Sequence, residues 1–382
     1  MTIIFVLMFG ATLFLCLSSY ALYPLVIWGL SRVQRFRIQY ADIAPSISVI
    51  ISAFNESKHI EKKMENTLSL EYPKGKMEIL IGSDGSTDET ETIAKKFIGP
   101  GIHVFPFKEN RGKTIVQNDL VAHAKSDILV FTDAASFLPP DALRKVVRNF
   151  ADDRIGCVAG KMRFVNTESN VTTRSQGIYW RYESKIRKWE SDLGRMIGVD
   201  GPLYAIRKKY YIPLGSNIIS DMISPLLVLA QGKGVVLEPE ALVDEEPKRQ
   251  SHQEFSTRRR IILRGLIALS AHRALLNPLG HSLLTLQILF HKIVRWFVGP
   301  LVILNAFSCV MLSGHLFFQI FLVLYSLFLI AAIVGKLTDQ AGIRTRLLSI
   351  PYYFGLVNLA ATAGIIDFFR NKQAISWIPV RD

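Results

Sequence analysis

The stretch Ile128-Leu129-Val130-Phe131-Thr132-Asp133 ends a run of β-branched and aromatic residues on a carboxylate, between Ser126-Asp127 and Ser136. Such a run predicts a strand buried on both faces, and in parallel α/β sheets ligands bind at the carboxyl ends of such strands. Asp133 then either stands at the lip of a ligand crevice or caps the turn into the helix that begins near Pro139-Pro140-Asp141. Two more acidic side chains hold equivalent places, Glu56 after the apolar run at 46–54 and Asp84 after the one at 77–82.

These carboxylates need a scaffold, and the pattern around them supplies one. Predicted strands at 46–54, 77–82, 102–105 and 128–133 alternate with predicted helices through Ile60, Met64 and Leu68, over about 89–97, and after Gly112-Lys113. That alternation reads as a doubly wound α/β sheet. Beyond it, Ile155-Gly156-Cys157-Val158-Ala159-Gly160 starts another strand, and 170–192 has helical spacing with Trp180, Tyr182 and Trp189. Those aromatics form either a core stripe under a helix or the lining of a sugar site.

The chain has 382 residues, 49% of them apolar, and a formal net charge of +13. The apolar residues concentrate at the two ends. Residues 3–30 carry no charge, and about 20 apolar residues cross a bilayer. The first charges, Arg32, Arg35 and Arg37, follow this run, so it reads as a retained anchor with its carboxyl side in the cytoplasm. Three further spans are expected at 297–312, 316–334 and 347–366, after an interfacial approach at His291-Lys292-Ile293-Val294-Arg295-Trp296. Lys336, Arg344 and Arg346 suit a cytoplasmic loop between the last two. Counting spans puts the tail outside and Arg370 with Lys372 puts it inside, so its side stays open. With such segments the basic surplus points to an anionic membrane surface; no module with nucleic-acid spacing occurs. Cys16, Cys157 and Cys309 make neither a disulfide framework nor a zinc site, which fits a reducing compartment.

Phe54-Asn55-Glu56, Asp84-Gly85-Ser86-Thr87-Asp88, Asn110-Arg111-Gly112-Lys113 and Phe131-Thr132-Asp133 together resemble, in order and spacing, the nucleotide-sugar half of family 2 inverting glycosyltransferases with the GT-A fold. The resemblance is to membrane polysaccharide synthases of the poly-N-acetylglucosamine and chitooligosaccharide type. It implies a nucleotide-sugar donor, with Asn55, Glu56 and Asp84 toward the uridine, Lys113 on the nucleotide, and Asp133 on ribose or on a divalent metal, Mg or Mn, at the diphosphate. Val199-Asp200-Gly201-Pro202-Leu203 resembles the family's acceptor strand, which implies acceptor binding by Asp200 and Gly201, with Trp180 nearby. Ile218-Ile219-Ser220-Asp221 resembles the segment whose aspartate is the general base, and Arg260 would contact the diphosphate. On the residues alone the alternatives are a solvated lysine at a helix start for Lys113, a helix N-cap for Asp221, and membrane-surface charge for Arg260.

Two departures from the pattern stand out. The family's Asp-x-Asp has Ala135 in its last place, and a methyl group ligates no metal. Thr257-Arg258-Arg259-Arg260-Ile261 keeps the arginine of the family's Gln-x-x-Arg-Trp but neither the glutamine nor the tryptophan. The implied organisation is an anchor at 1–31, a GT-A domain at 46–250 divided into a nucleotide-sugar half (46–135) and an acceptor half (136–250), amphipathic interfacial helices at 251–296, a membrane region at 297–368 and a tail at 369–382. The implied function is a multi-pass enzyme of the cell (inner) membrane with a cytoplasmic catalytic domain. It moves a sugar from a UDP-sugar to a glycan or lipid-linked acceptor for cell-surface polysaccharide. A distributive transferase to a polyprenyl-linked acceptor, or an inactive nucleotide-sugar-binding membrane protein, are the other readings.

Overall fold

The computed structural model describes residues 2–164, 171–245, 251–341, 343 and 346–372. Asn170, Arg344 and the tail from 373 onward lie outside the described residues. The strands are β1 (Ile47–Ala53), β2 (Met77–Asp84), β3 (Ile102–Phe107), β4 (Ile128–Asp133), β5 (Ile155–Phe164), β6 (Leu203–Arg207) and β7 (Gly234–Glu245). Between and around them run α1 (Thr2–Val33), α2 (Ile60–Leu68), α3 (Thr90–Lys95), α4 (Lys113–His123), α5 (Ala142–Val147), α6 (Val171–Asp192), α7 (Ser220–Ala230) and α8 (Ser251–Ala271). The carboxyl-terminal part adds α9 (Pro278–Trp296), α10 (Val298–Met311), α11 (Leu316–Gln340) and α12 (Arg346–Phe369).

The strands form one sheet in the order β3-β2-β1-β4-β6-β5-β7. β1, β2 and β4 are buried on both faces because successive side chains point to opposite sides. Ile50, Leu80, Leu129 and Phe131 join the core beneath α4 and α7, while Val49, Ile51, Ile79 and Val130 join the core beneath α2 and α5. This explains why the runs are continuously apolar instead of alternating. The chain order reverses between β1 and β4, the place where such sheets bind ligands outside their carboxyl ends. The sheet is not wholly parallel, however. β6 runs antiparallel to both β4 and β5, pairing Thr132 with Leu203, so the residues just before β6 lie at the carboxyl end of β4.

On α2, Ile60, Lys63, Met64 and Thr67 share the buried face at helical spacing. Lys63 is fully buried, and its ammonium donates to Thr132 Oγ1 at 2.8 Å and to the Ser136 carbonyl at 2.7 Å. It clamps the end of β4 to the turn that follows. Burial brings this lysine down to about 7, against the pull of Asp133 and Glu245.

α1, α11 and the Leu347–Phe369 part of α12 are long and apolar enough to cross a membrane. Ile320, Val323, Leu324 and Leu327 of α11 face outward, as they would toward lipid. The span expected at 297–312 is altered. α10 has 14 residues, about 21 Å of helix against a hydrocarbon core of about 30 Å. It is bent by 64° from α9, and the two make one broken span at most. Pro300, with no N–H to offer the carbonyl of Trp296, explains the break. His291 and Arg295 do not reach outward to an interface as expected. They turn inward, 2% and 8% exposed, where Glu183 pairs with His291 at 3.1 Å and with Arg295 at 2.8 Å. Glu190 also binds His291 and accepts from the Tyr23 hydroxyl, so one buried cluster joins α1, α6 and α9. Unpaired charges there would be costly, which is why the carboxylates and cations occur together. α8 is fastened to α12 by Arg259–Asp367 at 2.5 Å and by the Tyr353 hydroxyl on Glu254 at 2.9 Å.

Candidate active site

The loops after β1 and β2 are locked to each other. Asn55 adopts a left-handed φ of 52° and accepts from the Thr87 N–H at 2.9 Å, while Asp88 accepts from the Ser57 N–H at 3.0 Å. Asparagine tolerates that conformation better than most residues. Glu56 is buried against His59 Nδ1 at 2.8 Å. Asp84, fully buried, accepts from the backbone N–H groups of Arg111 at 2.8 Å and Gly112 at 2.9 Å. Burial raises its carboxyl, opposed by those two hydrogen bonds. Asp84 thereby holds the loop that delivers Lys113, and any base would meet only its remaining lone pairs. The φ of +91° at Gly112, strained for a residue with a Cβ, lets that loop turn into α4.

Lys113 reaches across to β4, where its ammonium donates to Asp133 Oδ1 at 2.5 Å. Gly201 enters β6 beside them. A Cβ at Gly201 would stand 2.9 Å from Asp221 Oδ2, 3.4 Å from Lys113 Nζ and 3.8 Å from Asp133 Oδ2. The absence of a side chain at Gly201 therefore lets two carboxylates and an ammonium converge on its backbone. Asp221 lies in the first turn of α7; the cap position is Ile219, with no side-chain cap bond, and the N-cap alternative does not hold for Asp221. Loss of solvent raises its carboxyl, the nearby charges of Asp133 and Asp200 raise it further, and Lys113 and Arg264 oppose.

These groups line one cavity of about 460 Å³ together with Trp180, Asp200 and Arg260. Asp200 is bound by Arg187 at 2.5 Å, and that guanidinium lies over the Trp180 ring at 5.4 Å. Asn55, Glu56 and Asp84 are not in the cavity wall; they sit at the adjoining ends of β1 and β2. Arg264 is the residue the sequence reading passed over. Its guanidinium donates to the Ile218 carbonyl at 2.7 Å and the Thr114 hydroxyl at 3.3 Å, joining the segment before Asp221 to the helix that starts at Lys113. The signal for it was present, since Arg260 and Arg264 are four apart and share a helix face. Glu245 was missed too; it lines the cavity and accepts from Ser136 Oγ at 2.6 Å.

A divalent cation finds few protein donors here. Among the described residues no three His, Cys, Asp or Glu side chains gather into a metal site. Asp133 already bonds Lys113, and Ala135 offers a methyl. The protein alone does not fit a resident metal, which takes six or more oxygen donors.

The seven-stranded mixed sheet with its flanking helices has the GT-A architecture. Residues 48–214 match the family described as Glycosyl transferase family 2. The poly-beta-1,6-N-acetyl-D-glucosamine synthase of Staphylococcus aureus (strain COL) is 29% identical over 177 residues, 46% of this chain. A Bacillus subtilis (strain 168) protein named "Probable glycosyltransferase YdaM" is 28% identical over 182 residues, 45% of this chain. The chain spans 42% of the length of each of these relatives. Among solved structures, the mannosyltransferase PcManGT from Pyrobaculum calidifontis in complex with GDP-Man and Mn2+ is similar with a TM-score of 0.71. The likeness covers 96% of this chain and 100% of that one at 17% identity, and shows a shared fold.

Asp84→Asn keeps the side chain's shape but turns an N–H2 toward a backbone N–H. It should cost roughly 1–3 kcal/mol, the penalty of unmaking a buried hydrogen bond, and speed amide exchange at Arg111 and Gly112. Denaturant unfolding with hydrogen exchange checks both; unchanged protection would mean that Asp84 does not hold the loop.

Proposed function

We propose that this protein is a membrane-bound inverting glycosyltransferase that moves a sugar from a nucleotide-sugar, a UDP-sugar, to a glycan or lipid-linked acceptor in cell-surface polysaccharide synthesis. The observation that carries the reading is the convergence of Asp221, Lys113 and Asp133 at Gly201 in the wall of one cavity. A sugar bound in that cavity would meet both a carboxylate able to act as base and a cation able to take up the leaving group's charge. The acceptor oxygen attacks the anomeric carbon while its proton passes to Asp221. The bond from that carbon to the β-phosphate oxygen breaks on the opposite face, and the diphosphate leaves with the electron pair. Lys113 and Arg260 offset its charge, and Arg264 keeps Asp221 and Lys113 in register. A carboxyl raised above its usual range is a stronger base at neutral pH than an ordinary aspartate.

Asn55, Glu56 and Asp84 form the uridine end, and Asp200, Gly201 and Trp180 the acceptor end. Asp133 is the residue that would hold Mg or Mn arriving with the donor, and such an ion would supply positive charge at the diphosphate. Arg32 at the end of α1, with Arg35 and Arg37 after it, supports a catalytic domain on the cytoplasmic side of the cell (inner) membrane, with the apolar helices as multiple passes. A distributive transfer to a polyprenyl-linked acceptor is a second reading. It is favoured by the cavity wall that Tyr20, Val357 and Asn358 of α1 and α12 provide.

Asp221→Asn should retain fold and donor binding and lower turnover by on the order of 10² or more; turnover within a few-fold of the parent would place the base elsewhere. Because the base must be ionised and its carboxyl is raised, activity should fall with acid through a midpoint above the ordinary aspartate value of about 3.9. A pH–rate profile reads this, and an acid limb at or below that value contradicts it. Ala135→Asp adds a second carboxylate, so calorimetry should find tighter Mn binding in the presence of UDP than for the parent. The parent's own binding should need the nucleotide, and tight Mn binding without UDP would reveal donors outside this account.

A further inference from the structure

The cavity extends past Asp221 toward the membrane helices, and its cations there are not alike. Arg187 pairs with Asp200 at 2.5 Å, Arg295 with Glu183 at 2.8 Å and Arg258 with Glu254 at 2.8 Å. Lys292 lines the same cavity, yet among the described residues it has no hydrogen bond and no carboxylate within ion-pairing distance. Its ammonium stands 3.7 Å from where a Cβ of Gly198 would be, so it is in contact range of the loop that leads to Gly201. Three extended residues reach at most about 10 Å. Lys292 and Asp221 therefore approach the two ends of one short loop, at Gly198 and at Gly201, and line the same cavity. The far wall is made by Tyr20, Val357 and Ala361 of the apolar helices α1 and α12. A bound anion would give this cavity-lining ammonium the direct partner that it lacks among the described residues.

We propose that Lys292 is the subsite for the phosphate of a lipid-linked acceptor, holding a phosphate or diphosphate at the membrane end of the cavity while the attached sugar reaches Asp221. This rests on the transferase reading and specifies its acceptor class. An ammonium with no carboxylate in direct contact among the described residues favours an anion over a neutral glycan. The lipid tail would leave between α1 and α12.

The test uses the full chain in lipid nanodiscs, with the probes farnesyl phosphate, farnesol and inorganic phosphate, and quenching of tryptophan as readout. Farnesyl phosphate should bind at least roughly ten-fold tighter than farnesol, the scale of a charge-assisted hydrogen bond, and inorganic phosphate should bind weakly. Lys292→Met should abolish that preference, Lys292→Arg should retain it, and UDP affinity should stay unchanged in both. Equal melting temperatures control for folding, and the arginine variant keeps the test open should the methionine one fail to fold. A phosphate preference that survives Lys292→Met overturns the proposal, and so does a parallel loss of UDP binding, which would make Lys292 a donor contact. Inorganic phosphate binding as tightly as farnesyl phosphate would overturn the lipid part. Retained discrimination by Lys292 in a protein that turns over no UDP-sugar would sink the transferase reading and leave the subsite standing.

Discussion

The antiparallel entry of β6 beside β4 is the constraint on which the site depends. Because Leu203 pairs with Thr132, the start of β6 lies against the end of β4, and Gly201 arrives beside Asp133. A parallel strand in that position would bring Arg207 instead. The same register lets Asp221, whose backbone carbonyl accepts from the Val199 N–H at 3.1 Å, come within reach of Lys113. Two halves of the sheet thus share one cavity, and glycine is the residue that lets Asp221 and Lys113 come so close to the chain there.

Much of this was legible in the sequence, for identifiable reasons. Strands buried on both faces write themselves as continuous apolar runs, and a polar residue at the end of each is conspicuous; Asp84 and Asp133 were found that way. Direction is not written in such runs, so the reversal of β6 was invisible. Lys63 illustrates a second limit. Its place among Ile60, Met64 and Thr67 marked it as inward-facing, but a lysine is ordinarily read as solvated. The inward turn of His291 and Arg295 depended on Glu183 and Glu190, roughly a hundred residues away, and no local pattern carries that pairing.

The helices flanking the domain are coupled to the site by charge. α8 holds α12 through Arg259 and Asp367 on one face and, through Arg264 on another, the segment before Asp221. The Glu183–His291–Arg295 cluster does the same for α1 and α9 at the other side of the cavity. Buried ionic groups of this kind are weak sources of net stability, and their better-attested role is to fix one arrangement among several. Here they fix the apolar helices relative to the cavity. Breaking one pair would leave its partner buried and uncompensated.

The central claim is that Asp221 and the Lys113–Asp133 pair act on opposite faces of one anomeric carbon. The most direct measurement is the anomeric configuration of the first glycosidic bond formed from an α-linked UDP-sugar by the full-length protein in lipid, read by NMR. A single attack assisted by Asp221 predicts a β-linked product, the inverted configuration. An α-linked product would require two displacements or a different face of attack, and would contradict the account.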